Sequence, residues 1–168
     1  MDDVQNRIDR EPEGIYKSRY EPPFFQLTPV IEILPVTLDK GAAIPERAYP
    51  TDAGLDLMSM EAVAVPPHDS MVVETGVHVG IPSGWAGLLV SKSGLMGNGI
   101  ETTGLIDSSY TGSIKVVVFN HGGFPLFIKK GQKISQLVLI PVATPIVQVV
   151  DKLETTDRAD RGFGSTGL

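Results

Sequence analysis

The chain has no cysteine, no long apolar run and no excess of positive charge, and each absence removes a class of protein. Without cysteine among its 168 residues there is neither a disulfide framework nor a thiolate metal site. The three histidines, His68, His78 and His121, are scattered and lack the paired spacing of a zinc motif, which leaves them structural or surface roles. Lys and Arg number 14 against 20 Asp and Glu, a formal net charge of −6. That balance lacks the basic stripe with which proteins track nucleic-acid phosphates, so direct nucleic-acid binding is not expected. No apolar run approaches the ~20 residues of a membrane span, and the acidic start Met1-Asp-Asp-Val4 is not a signal peptide. The expectation is a soluble, cytoplasmic protein with no membrane partner.

A convincing 3.6-residue apolar period longer than two turns is also missing. Short β-branched runs recur instead: Val30 to Leu34, Met71 to Thr75, Val77 to Ile81, Ala86 to Val90, Ile114 to Phe119, Leu126 to Ile128, Ile134 to Ile140 and Ile146 to Val150. Punctuation by 18 Gly and 13 Pro, with explicit turns at 66–69, 82–84, 98–99, 121–123 and 129–131, makes this an all-β sandwich or jelly roll. Residues 1–27 carry charges of alternating sign and end in Glu21-Pro-Pro-Phe-Phe25, an appended arm in which a short helix and disorder are both open. The β domain spans 28–151, and 152–168 form a polar, Gly-rich C-terminal arm.

Five segments attract chemical attention, and each has a plainer reading. Asp52-Ala-Gly-Leu-Asp56-Leu57 is either a solvated turn with a local Asx bond or a carboxylate, Asp56, holding waters on a magnesium ion. Ser91-Lys-Ser-Gly94 follows a strand, as a polar turn or a phosphate dock. Gln136 sits between apolar neighbours, as structural glue or a ligand contact. Asp107 and Tyr110 lie on what reads as a tight turn between two apolar strands; they are a solvated turn, or a general base orienting water beside a ring that stacks on a flat ligand. The tail has a literal G-x-G-x-x-G at Gly162, Gly164 and Gly167. No helix follows, so the dinucleotide reading fails, and the alternatives are disorder or a nest of amides beside Arg158 and Arg161 that wraps a polyphosphate.

Taken in order, these segments resemble the five motifs of the trimeric dUTPases. Ala48-x-x-x-Asp52-Ala-Gly-Leu-Asp56-Leu57 is similar to the first and Ser91-Lys-Ser-Gly-Leu95 to the second. Gly104-Leu-Ile-Asp-Ser-Ser-Tyr-Thr-Gly112 is similar to the third, Gly131-Gln-Lys-Ile-Ser-Gln-Leu137 to the fourth, and Thr156-Asp-Arg158 through Gly162-Phe-Gly-Ser-Thr-Gly167 to the fifth. The resemblance covers about residues 30–168. It implies a jelly-roll homotrimer with an exchanged C-terminal arm and three sites, each built from all three chains. It also implies Mg2+-dependent hydrolysis of dUTP to dUMP and pyrophosphate, which limits uracil in DNA and supplies dUMP for thymidylate synthesis. Under it, Asp107 activates the water that attacks the α-phosphorus, and Tyr110 packs on the deoxyribose. Main-chain groups of a 101–107 hairpin, around Gly104 and Ile106, read uracil. Lys92, Ser93, Gly94 and Gln136 contact phosphates, while Asp56 holds the metal's water shell. Phe163 covers the base as the arm closes, with Arg158, Gly164 and Ser165 toward the terminal phosphates. Two departures stand out. Lys92 occupies a usual arginine position, and Ala159-Asp160-Arg161 replaces the usual Gly-x-Gly, so Arg158 and Arg161 both remain candidates for the terminal phosphate, with spacing favouring Arg158.

Two rival readings share the fold. A dCTP deaminase needs a glutamate where this chain has Val117, which transfers no proton. A non-catalytic trimer that binds a regulatory protein partner is the other, with residues 1–27 as a candidate contact.

Overall fold

In the computed structural model, residues 31–156 and Ala159 are described. Ten strands and one helical turn follow one another: β1 (Val36–Leu38), β2 (Leu55–Met58), β3 (Val63–Val65), β4 (Asp69–Glu74), β5 (Val77–Val79), β6 (Trp85–Val90), α1 (Ser93–Met96), β7 (Ile100–Asp107), β8 (Lys115–Asn120), β9 (Leu126–Ile128) and β10 (Lys133–Pro141). Alternation drives the pairing. On β8, Val116, Val118 and Asn120 are buried while Lys115 is exposed and Val117 and Phe119 are half-buried, the pattern of a strand with one face in a core.

Six strands form an antiparallel sheet in the order β2-β10-β6-β7-β8-β4, and two small sheets, β1-β5 and β3-β9, fold over it. Within that sheet β6, β7 and β8 are consecutive, but β10 returns to lie between β2 and β6 and β4 pairs with β8, the non-sequential order that the jelly-roll expectation requires. Leu57, Val73, Ile114, Val116, Ile134 and Leu137 fill the core, each no more than 1% exposed. Each contributes on the order of 1.5–3 kcal/mol relative to exposure. Gly84, Gly99 and Gly131 adopt positive φ in three of the expected turns, where a side chain would be strained.

Several expectations are corrected. The first strand is Val36–Leu38 and not 30–34; residues 31–35 are irregular. The run Ile146–Val150 forms no strand, and Ile146, Val147 and Val149 are 95%, 89% and 95% exposed. No strand among the described residues pairs with it. Residues 101–107 are not a hairpin but most of β7, which pairs with β6 along 103–107 and with β8 along 100–103. Asp107 therefore ends a strand, and the excursion to Lys115 is a wide loop, not a tight turn. The polar turn expected after Val90 continues into the helical turn α1. The arm 1–27 and the tail positions Arg158, Arg161, Phe163, Gly164 and Ser165 lie outside the described residues.

Candidate active site

β2, β10 and β6 run side by side, and their register sets Asp56 opposite Gln136 and Gln136 opposite Val90. Ser91 and Lys92 continue from that end of β6, so the first, second and fourth sequence segments meet there. Asp56 is only 4% exposed. Lys92 Nζ bonds to its Oδ1, and Lys133 Nζ lies 2.8 Å from its Oδ2. Lys133 also reaches Glu46 Oε1 at 3.3 Å. Burial pushes the Asp56 pKa up, but hydrogen bonds and charge from Lys133 and Lys92 outweigh it and hold the carboxyl below its ordinary value. The Lys133 ammonium is correspondingly raised, first by its hydrogen bond to Asp56 and then by Glu46.

Gln136 Nε2 donates to Ser91 O at 3.4 Å. Gly54 faces the same amide, and a Cβ there would stand 2.5 Å from Gln136 Oε1, so only glycine lets the β2 approach sit this close. Beneath, three buried hydroxyls lock the strand end. Thr102 N–H donates to Ser91 Oγ at 2.6 Å, Ser91 Oγ to Thr102 O at 2.9 Å, Thr102 Oγ1 to Ser135 Oγ at 3.1 Å and Ser135 Oγ to Val90 O at 3.1 Å. Above them opens a cleft of about 320 Å³ lined by Lys92, Ser93, Gly94, Leu95, Lys133 and Gln136. Asp52 closes a local turn, its Oδ2 accepting from Tyr49 N–H at 3.0 Å, and borders an adjoining recess with Asp56, Lys92 and Gln136.

Asp107 and Tyr110 are elsewhere. Gly104, Ile106 and Asp107 pair with Leu89, Gly87 and Ala86. Ile106 is buried, whereas Asp107 is exposed. Tyr110 N–H donates to Asp107 O at 3.0 Å and its hydroxyl to Ser113 O at 2.8 Å. This leaves the ring 42% exposed above Gly112. Val90 pairs with Thr103 and Ala86 with Asp107. Four extended residues separate those points, about 13 Å, and Lys92 lies two residues further on. A single chain thus gathers Asp56, Lys92, Ser93, Gly94 and Gln136 beyond the Val90 end of β6 and puts Asp107 and Tyr110 at the opposite end, with Gly104 and Ile106 strung along β7 between them, and it does not bring Asp107 to Lys92.

Roles for Lys133, Thr102 and Ser135 are absent from the sequence reading, and Ser91, read there as part of a polar turn or phosphate dock, bonds its hydroxyl to Thr102. A register shift between Lys133 and Ser135 turns Lys133 toward Asp56, beside Gln136; strict alternation would put those two on opposite faces.

The fold and cleft define a jelly-roll domain with a cationic, phosphate-sized recess in an otherwise acidic chain. The dUTPase family model matches residues 40–167. Relatives include the deoxyuridine 5'-triphosphate nucleotidohydrolases of Clostridium kluyveri, 38% identical with 82% of this chain and 99% of that protein covered, and of Paramecium bursaria Chlorella virus 1, 41% identical with 78% and 94% covered. That of Arabidopsis thaliana is 34% identical, with 96% and 93% covered. Among solved structures, a Staphylococcus bacteriophage 80alpha dUTPase mutant with dUpNHpp superposes with a TM-score of 0.75 at 32% identity, covering 82% of this chain and 99% of that one. A phage phi11 dUTPase mutant, described as coordinating a structural Mg(II) ion, superposes with a TM-score of 0.68 at 31% identity, covering 73% and 99%. The chain belongs to the dUTPase family.

Proposed function

We propose that the protein hydrolyses dUTP to dUMP and pyrophosphate in sites shared between copies of a homotrimer. The observation that carries this reading is the division of polar groups between the two ends of β6. A triphosphate docked at Lys92 cannot meet Asp107 of the same chain, but it can meet Asp107 of a neighbouring copy. The exposed, unpaired apolar run 146–150 suits the same assembly, in which the C-terminal arm crosses to another copy.

Within such a site Lys92, with Ser93, Gly94 and Gln136, binds phosphate oxygens by charge and hydrogen bonds. The backbone at Gly104 and Ile106 reads the uracil edge, and Tyr110 walls the deoxyribose. Asp107, exposed and anionic, takes a proton from the attacking water as the new oxygen bond to the α-phosphorus forms and the bond to the pyrophosphate oxygen breaks. The arm residues Arg158, Phe163, Gly164 and Ser165 close over the nucleotide, excluding water and adding cationic charge where the leaving group builds up negative charge.

Mg2+ fits this cleft as a metal carried on the triphosphate. Among the described residues no cluster of three or more His, Asp or Glu could hold an ion directly, while Asp56 offers one ionised carboxylate to the water shell that Mg2+ keeps. The ion, if bound, would neutralise phosphate charge and take the Asp56 carboxylate toward its water shell, and Lys92, which Asp56 holds in the free protein, would contact phosphate.

A pyrophosphate-release assay with dUTP and Mg2+ tests the reading. Wild type turns over, and Asp107→Asn binds a non-hydrolysable analogue but turns over at least ~100-fold slower. Intact dUTP with wild type, or unchanged turnover in the variant, refutes it.

A further inference from the structure

The loop from Asp107 to Ile114 carries the general base and the sugar-facing ring, and it is anchored almost entirely to the segment joining β4 to β5. Ile114 N–H donates to Val77 O at 2.8 Å, and Thr75 Oγ1 donates to Ile114 O at 2.7 Å. Ser113 Oγ bonds to Glu74 Oε1. Closer to Tyr110 the loop has a different anchor, since the carbonyl of Thr111 lies 2.9 Å from His78 Nδ1. The other ring nitrogen, Nε2, lies 3.2 Å from Asp39 Oδ1.

Both partners of this imidazole are acceptors. A carbonyl and a carboxylate each require an N–H, and a neutral imidazole has one. Only the doubly protonated ring makes both bonds; once neutral, it meets one acceptor with a lone pair. Charges around it favour protonation, with Asp39 following β1 and Glu74 ending β4, while Lys115 on β8, 3.6 Å from Glu74 Oε2, partly offsets the latter. The His78 pKa is accordingly raised, first by the Thr111 carbonyl and then by Asp39. The contribution of this clamp is complete below the ordinary value of about 6.5 and is lost as pH rises through the higher folded value.

We propose that His78 is a positioning residue for catalysis, whose imidazolium ties Asp39 to the Thr111 carbonyl and thereby fixes the loop that presents Asp107 and Tyr110. The proposal rests on the assignment of dUTP hydrolysis to this loop. Neutralising His78 leaves the loop fixed at its Ser113 and Ile114 end and loosens it next to Tyr110, so catalysis weakens without loss of fold.

The test compares wild type, His78→Ala and His78→Gln in dUTP hydrolysis from pH 5.5 to 9, alongside NMR titration of the His78 ring and thermal unfolding. The expected result is a ring that titrates above 6.5 and a wild-type kcat/KM that exceeds His78→Ala by about tenfold near pH 6, the scale of a displaced catalytic group. That advantage shrinks toward twofold by pH 9. His78→Gln, which can donate to Thr111 without titrating, restores part of the loss and shows a pH-independent ratio to His78→Ala. Parallel wild-type and His78→Ala profiles in folded proteins, or a ring titrating at or below 6.5, overturn the proposal and leave the hydrolytic function standing. A wild type inactive on dUTP at every pH overturns that function, and this proposal with it.

Discussion

Gly112→Ala changes one hydrogen to a methyl group, yet it acts directly on the ring assigned to sugar selection. A Cβ at position 112 would lie 2.5 Å from the Tyr110 hydroxyl oxygen, 2.7 Å from Cζ and 3.0 Å from Cε2. Ordinary contact begins near 3.4 Å, so the ring has to move by roughly 1 Å. Tyr110 is 42% exposed, and the side chain swings outward more cheaply than the backbone shifts. The swing breaks the 2.8 Å bond from the hydroxyl to Ser113 O, about 1 kcal/mol, which lowers Tm by only a few degrees in a domain of this size. Catalysis is more sensitive, because displacing a substrate-positioning group by ~1 Å costs up to ~100-fold. In a pyrophosphate-release assay kcat/KM for dUTP should fall strongly while UTP, given room for its 2'-hydroxyl, loses little, so that the dUTP/UTP ratio drops at least ~10-fold. Tyr110→Phe loses the hydrogen bond but keeps the ring over the sugar and should change the ratio less than threefold, about the 0.6 kcal/mol of a weak hydrogen bond. A folded Gly112→Ala protein with an unchanged ratio refutes the assignment of Tyr110 to sugar selection.

Truncation after Lys152 removes the arm carrying Arg158 and Phe163 and should abolish efficient hydrolysis while the trimer, followed by light scattering, stays assembled; full activity in the truncated protein refutes the lid role. Asp56 has a lowered pKa, so its contribution to stability is present above the unfolded carboxylate value of about 3.9 and is lost as pH falls through the lower folded value. Urea unfolding between pH 2.5 and 5 should show a shallower acid slope in Asp56→Asn than in wild type, and parallel slopes contradict the Lys92–Asp56–Lys133 arrangement.

Most of the strand content was legible because each buried strand is short, β-branched and bounded by Gly or Pro. Leu126–Ile128 matches its expected bounds, and β10 extends its expected run by one residue at each end. Ile146–Val150 misled for a physical reason: a β-branched run makes a strand only where a partner pairs with it, and among the described residues none does. The motifs gave Asp56, Lys92 and Gln136, but Lys133 stayed hidden, since a bulge at Ile134 breaks the alternation by which faces are assigned. The network joining the Ser91, Thr102 and Ser135 hydroxyls left no local signal, because its bonds join residues 11 and 33 positions apart. His78 was assigned a surface or structural role from spacing alone; its two acceptors become visible only when β1, β5 and the Thr111 loop come together. The tail motif, which carries Arg158, Arg161 and Phe163, lies outside the described residues and rests on sequence resemblance.

The central claim is that Lys92 and Asp107 act on one substrate from different copies of the chain. Co-expressing Asp107→Asn with Lys92→Ala tests it, each variant being nearly inactive alone. If sites are shared, random assembly unites an intact Asp107 with an intact Lys92 in about a quarter of the sites, and the purified mixture should recover roughly that fraction of wild-type turnover on dUTP. A mixture no more active than its two components would place both residues in the same chain's site and contradict the account.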